Sequence, residues 1–278
     1  MADLPPSFVL TLAAVFGLVV GSFLNVCIFR VPRDLSVVRP RSFCTSCEMP
    51  VAWYDNIPVL SYLLLRGRCR HCKSSIGLSY LFVEITTAVT FVAVLSIYGV
   101  SLVAAKWIIY ECVLIVLFWT DWQERILPDE FTIGGSIVGL LFALVVYVPS
   151  LFGEVFLSQQ GWRIESLANA IVGGLFASLP MWLLALLYEK LRGREGLGFG
   201  DVKLLLLLGT FLGPENALSA LTVGATTGAL FGITMVLRSR QEGWSYALPF
   251  GSFLALAGYL VPLFARLRLT GIALPPTH

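Results

Sequence analysis

Ser101-Leu-Val-Ala-Ala-Lys-Trp-Ile-Ile-Tyr-Glu-Cys-Val-Leu-Ile-Val-Leu-Phe-Trp-Thr120 is a predominantly apolar run that breaks at Asp121-Trp-Gln-Glu-Arg-Ile-Leu-Pro-Asp129 and resumes over 130–150. An α-helix rises about 1.5 Å per residue, so about twenty such residues cross a hydrocarbon core of roughly 30 Å. Two runs of that length, joined by a short polar segment, read as consecutive membrane spans with Asp121 at the end of one of them. Working outward, the same criterion marks 7–29, 79–99, 166–189, 201–213, 217–237 and 245–265. The expected fold is therefore an all-α polytopic membrane protein with about eight transmembrane helices. The 201–213 run is the shortest of these and stops at Gly213-Pro214, a natural helix end.

Composition agrees. Of 278 residues, 57% are hydrophobic and only 13% charged, against about 25% charged in soluble domains, and mean hydropathy is +0.84. This excludes an ordinary soluble protein and a disordered chain. A net charge of +2 excludes nucleic-acid binding through bulk basic charge. The first run lacks the basic n-region of a signal peptide, since only Asp3 precedes it, whereas Arg30 and Arg33 follow it. With the N-terminus outside, segments 30–78, 121–129, 190–203 and 238–243 face in and hold fifteen Lys and Arg. The outer segments hold four: Lys106, Arg163, Arg266 and Arg268. That asymmetry obeys the positive-inside rule and places both termini outside. There are no long repeats or low-complexity segments. The expected organisation is a first helix at 1–29, a cytoplasmic domain at 30–78 and a transmembrane domain at 79–278.

The 30–78 insert holds Cys44-Thr-Ser-Cys47 and Cys69-Arg-His-Cys72. Two C-x-x-C turns present four thiolates suited to tetrahedral zinc, which lets a domain of this size fold around a small core. Two disulfides or a redox pair are the alternatives, disfavoured by the reducing compartment that the charge asymmetry implies. His71 is a possible substitute ligand. Cys27 and Cys112 fall in apolar runs and read as packed side chains.

Asp121 closes the third span. Asp201 opens the sixth, after Gly196-Leu-Gly-Phe-Gly200. Two spans separate them, so both carboxylates return to the same membrane face. Carboxylates at the membrane boundary are costly unless they have a task. A close pair divides the work of peptide hydrolysis: one ionised member takes a proton from water and one protonated member polarises the carbonyl. Singly, Asp201 reads equally well as a helix cap and Asp121 as a juxtamembrane charge.

Gly21-Ser-Phe-Leu-Asn25 with Arg30-Val-Pro32, the two C-x-x-C pairs, Trp53-Tyr-Asp-Asn-Ile-Pro58, Ser61-Tyr-Leu-Leu-Leu-Arg-Gly67, Tyr80 to Glu84, Asp121 to Asp129 and Gly198-Phe-Gly-Asp201 together resemble one family over nearly the whole chain. That family is the prepilin peptidases, bifunctional leader peptidases and N-methyltransferases of type IV pilus and type II secretion systems. The last motif is similar to the G-x-G-D of intramembrane aspartyl proteases. The resemblance implies catalytic Asp121 and Asp201, with Asp129 in a supporting role. It implies cleavage of a basic leader after glycine in prepilins or pseudopilins at the cytoplasmic boundary of a bacterial inner membrane. It also implies methylation of the new N-terminus from S-adenosylmethionine, an activity expected of members with the four cysteines. Thr45 departs from the proline common at that position and leaves the ligand set intact.

No Rossmann-type glycine loop marks a cofactor site. Gly21, Ser22, Asn25, Gly67 and Glu84 are the candidate S-adenosylmethionine contacts, with Arg68 beside them. Close helix packing explains Gly21 and Ser22 equally well, and a salt bridge to a loop arginine explains Glu84. Lys203 either acts on Asp201 or snorkels to the interface. The basic excess of 30–78 suits anionic lipid. An ion transporter, a zinc-bearing adaptor without chemistry and a peptidase without methylation are the competing readings. Nothing in the sequence sets an oligomeric state.

Overall fold

A computed structural model describes residues 5–157, 159–193, 198–238 and 248–269. Gly196 and Leu197 of the glycine-rich motif, Asp3, the basic 239–243 stretch and the tail at 270–278 lie outside the described residues. Among the described residues the structure is helical, with isolated β-bridges and no strands. Each of the eight apolar stretches carries a helix: α1 (Pro6–Arg30), α3 (Leu78–Tyr98), α4 (Leu102–Glu124), α5 (Asp129–Ala143), α7 (Trp162–Arg192), α8 (Phe199–Leu212), α9 (Pro214–Arg238) and α10 (Phe250–Leu269). Two short helices complete the set, α2 (Leu60–Leu64) and α6 (Leu151–Phe156). Among the described residues five helices are long and apolar enough to cross a membrane: α1, α3, α4, α7 and α9.

The 130–150 run is not one helix. Helix α5 ends at Ala143, and the chain runs through a turn and an irregular stretch to Pro149. Ser150 then caps α6, its hydroxyl accepting from the Phe152 amide. Lys106 differs from the loop cation expected of it. It lies within α4, only 1% exposed, with its ammonium 5.1 Å from the Trp107 ring centroid.

The chain divides into two compact units, 1–116 and 117–278. In the first, α1 packs along α3 through small residues. A Cβ on Gly17 would stand 2.7 Å from the Ala88 Cα, and one on Gly21 would stand 2.7 Å from the Glu84 Cα. Lipid tails are as apolar as leucine, so close backbone approach is what holds such helices together.

In the second unit α8 is the axis, contacted by α5, α7, α9 and α10. Its residues Val202, Leu204, Leu205, Leu207, Leu208, Phe211 and Leu212 are buried. Glycines set the crossings. Gly139 of α5 faces Thr210 and Phe211, and Gly224 of α9 faces Leu254 of α10. Gly173 and Gly209 bring α7 and α8 into backbone contact, where a Cβ on Gly173 would meet the Gly209 carbonyl oxygen at 2.5 Å. Gly209→Ala is therefore expected to lower stability by about 1–3 kcal/mol or more, as overpacking does. Gly134→Ala, with no atom within 4 Å of the new methyl, is the neutral control. Thermal unfolding of both variants in detergent measures the difference.

Candidate functional site

In the first unit, the two cysteine pairs build the same knuckle twice. The Cys44 amide donates to the Met49 carbonyl (3.0 Å) and the Glu48 amide to the Cys44 carbonyl (2.8 Å). In the other, Cys69 donates to Ser74 (2.9 Å) and Lys73 to Cys69 (3.1 Å). Bridges Phe43–Pro50 and Arg68–Ser75 close the two turns. Glu48 and Lys73 both take the left-handed conformation, with φ of 58° and 61°. Each turn aims its amides at sulfur, and those of Ser46 and Cys47 pull the Cys44 thiol down to about 6.

All four Sγ atoms lie within 4.8 Å of one another, and Cys44 Sγ is 3.8 Å from Cys72 Sγ. A tetrahedral ion with Zn–S bonds of about 2.3 Å spaces its sulfurs by about 3.8 Å, so the quartet is compatible with zinc. His71 is not part of it. The knuckles are tied across the domain by Arg70, which grips Asp55 through two hydrogen bonds of 2.7 and 2.6 Å and lies over the Tyr54 ring at 5.5 Å.

Between this domain and α1–α3 lies a cavity of about 250 Å³ whose wall includes Ser22, Asn25, Tyr80 and Glu84. Asn25 donates to the Tyr80 carbonyl at 3.0 Å. Glu84 accepts the Val59 amide at 2.7 Å and a hydrogen bond from Ser22. Its partners are thus an amide and a hydroxyl where a loop arginine was the alternative. Gly21 packs against the Glu84 backbone, and Gly67 turns the chain at φ +65° under Tyr62. Neither is among the residues lining the cavity.

In the second unit, Asp121 and Asp201 meet at Gly251. A Cβ there would stand 3.1 Å from Asp121 Cγ and 3.1 Å from Asp201 Oδ1. Asp121 is 6% exposed. Its Oδ2 accepts the Ser252 amide at 2.6 Å and the Ser252 hydroxyl at 2.7 Å. The Gly198 side of α8 is equally crowded: Gly198 is the cap residue, and a Cβ on it would lie 3.2 Å from Asp201 Oδ2. Asp201 is thus in the first turn and not at the cap. A Cβ on Gly200 would meet Leu127 at 3.1 Å. Lys203 pairs with Asp129 at 2.6 Å, which settles it on a partner other than Asp201.

Sequence reasoning missed Gly251, Ser252 and Leu127. A signal existed: Phe250-Gly-Ser252 opens α10 as Phe199-Gly-Asp201 opens α8.

Residues 15–98 match the model of the bacterial peptidase A24 N-terminal domain, and residues 108–233 match that of the type IV leader peptidase family. A prepilin leader peptidase/N-methyltransferase of Pseudomonas putida is 33% identical over 93% of this chain and 92% of its own length. Proteins of the same name from Aeromonas hydrophila (32%; 93% and 92%) and Neisseria gonorrhoeae (33%; 91% and 90%) are similar to the same extent. No solved structure matches.

The Asp55 carboxyl is held below its usual range by the hydrogen bonds from Arg70. A depressed carboxylate stabilises the fold above its free pKa and loses that contribution as pH falls through the lowered value. Acidification through that point, or Arg70→Gln at neutral pH, is therefore expected to lower amide protection, relative to the intrinsic exchange rate at each pH, over 44–75. Hydrogen exchange read by mass spectrometry follows both.

Proposed function

The chain belongs to the type IV leader peptidase family, the prepilin leader peptidase/N-methyltransferases, and from that premise we propose how its two units carry out the two activities. The protein cleaves leader peptides from type IV prepilins or pseudopilins and methylates the new N-terminus. The observation that carries the peptidase reading is the convergence of Asp121 and Asp201 on the one glycine at 251. Elsewhere among the described residues, Asp55 and Asp129 are paired with Arg70 and Lys203, Glu84, Glu165 and Glu215 are bound by an amide or a hydroxyl, and Glu111 is buried within α4.

In this reading Asp121 and Asp201 are the catalytic residues. The ionised member takes a proton from water as the water oxygen adds to the scissile carbonyl carbon. The protonated member donates to the carbonyl oxygen, giving a tetrahedral diol. The C–N bond then breaks as the amine nitrogen takes the proton held by the base. The diol returns its hydroxyl proton to the other carboxylate, so one water is consumed and the pair regains its single proton. The missing side chains at Gly198 and Gly251 are what let both carboxyl groups lie this close.

The eight helices cross the membrane eight times, with both termini outside. The segment at 30–78 is a cytoplasmic domain between the first helix (1–29) and the transmembrane domain (79–278). Cys44, Cys47, Cys69 and Cys72 hold a structural zinc ion in that domain. A bacterial inner membrane places the acids at its cytoplasmic boundary, beside anionic lipid that suits the basic insert.

S-adenosylmethionine supplies the methyl group, and the cavity beside Ser22, Asn25 and Glu84 fits it by chemistry. A buried carboxylate on an apolar wall suits a sulfonium cation, since a buried charge calls for a partner. Asn25, fixed by Tyr80, orients that wall. Of the five candidate contacts, Gly21 and Gly67 serve by shaping the helix pair and the turn.

Asp121→Asn and Asp201→Asn are each expected to lower prepilin cleavage by about 10²–10⁴-fold with unchanged insertion and unfolding temperature. Mass spectrometry of a prepilin incubated with each variant in detergent reads this. Near-normal cleavage by both variants would sink the assignment. One zinc per chain is expected by elemental analysis, falling well below that in Cys44→Ser. In that variant methylation of the product should suffer more than leader removal. Glu84→Gln should impair methylation with cleavage retained, scored by the absence of the added methyl mass.

A further inference from the structure

We propose that Ser252 assigns the roles within the acid pair. By directing both its amide and its hydroxyl at one oxygen of Asp121, it keeps Asp121 as the base and leaves Asp201 to carry the proton. This rests on the peptidase reading above and adds a positioning residue to it.

The geometry is asymmetric. Asp121 Oδ2 receives two donors from Ser252, at 2.6 and 2.7 Å. Among the described residues no N–H or O–H donor is recorded on the Asp201 carboxyl. The two donors differ in kind. The Ser252 hydroxyl also lies 3.1 Å from the Phe118 carbonyl oxygen, one turn before Asp121 on the same helix. A hydroxyl has one proton and two lone pairs, so it serves a carboxylate by donating to it, or a carboxylic acid by turning to Phe118 and accepting. An amide has no such choice. Because the Ser252 N–H only donates, Oδ2 stays an acceptor, and any proton on Asp121 is confined to Oδ1. Donors on a carboxylate favour its charged form. Two carboxyl groups this close hold one proton between them, and that proton resides on Asp201, the member with no donor among the described residues.

The arrangement follows from where α10 begins. Ser252 is the third residue of the helix that starts at Phe250, and the first four amides of a helix have no internal partner. Its N–H is therefore free for Asp121 at no cost to α10. Gly251, just before it, admits both carboxyls because it has no side chain. Of the charged neighbours, Arg125, just past the end of α4, also favours a charged Asp121, more weakly than the two Ser252 donors. On α4 itself Asp121 has Glu124 nearby. Across from it α8 brings Asp201 and Lys203, and the head of α5 brings Asp129 and Glu130. Lys203 and Asp129 engage each other, and the described side chains of α10 bring neither a carboxylate nor a cation.

The test is the pH dependence of prepilin cleavage by Ser252→Ala, Ser252→Thr and Ser252→Pro in the full-length protein. A base must be ionised to act, so removing a donor raises the pH at which it becomes active. Ser252→Ala is expected to move the acidic limb of the kcat profile up by about one pH unit. It should lower kcat by up to roughly tenfold on the acidic side of that limb, with KM unchanged. Ser252→Thr should restore the original profile. Ser252→Pro removes both donors at a position where the first turn tolerates proline, and should shift the limb further. If that variant fails to insert, Ala against Thr decides alone. Coincident profiles for all variants, or a shift confined to the alkaline limb, would overturn the assignment. Asp121→Asn and Asp201→Asn in the same assay separate the two levels. If they are inactive while the Ser252 variants behave as unaltered protein, only the role of Ser252 fails. If they cleave, the peptidase reading fails first.

Discussion

Two carboxyl groups brought to one glycine repel each other, and the surrounding helices are arranged to hold them there. Asp121 comes from the end of α4, Asp201 from the first turn of α8, and Gly251 with Ser252 from the first turn of α10. A side chain at 198, 200 or 251 would press on an acid or on Leu127. The glycines of this region are thus needed for space, whatever conformational freedom they also have. The same logic extends down α8, where Gly139, Gly173 and Gly209 let three helices close on one axis. The position of the acids is a result of those crossings.

The first unit solves a different problem. An insert of about fifty residues has too little apolar interior to fold on burial alone. Its order comes from two copies of one turn, each fixed by an amide-to-carbonyl pair and a left-handed residue after the second cysteine. Arg70 and Asp55 hold one turn to the rest of the domain. The exposed position of that pair limits its worth, as surface ion pairs contribute little. The four sulfurs converge between the two turns, within 4.8 Å of one another.

Much of this was legible from residues alone. The apolar runs located every long helix, because a span needs continuous hydrophobicity that few other structures share. The cysteine spacing marked the four thiols, and Asp121 and Asp201, singled out at the ends of apolar runs, meet at Gly251. What escaped has physical reasons. The break after Ala143 falls in an apolar stretch, 140–148, that holds neither glycine nor proline. Glu84 and Lys203 had several possible partners, and only the tertiary structure selects Val59 and Asp129. Ser252 escaped because a serine beside a glycine is common, and its meaning arises only when α10 lies against α4. The small-residue signature at 21 was readable in either of two ways, and the helix crossing accounts for it directly.

Helix α8 has 14 residues, about 21 Å of rise, well short of a bilayer core. A helix facing lipid at that length would thin the membrane around it or tilt its neighbours. This one is sheathed by α5, α7, α9 and α10, so the hydrocarbon boundary acts on its sheath and not on it. Changes in acyl-chain length or sterol-like thickening would be absorbed by the tilt of α7 and α9, which exceed the core thickness. Asp201 would keep its depth relative to Asp121. The spacing of the acids thereby depends on how α8 packs within its sheath and not on its own contact with lipid.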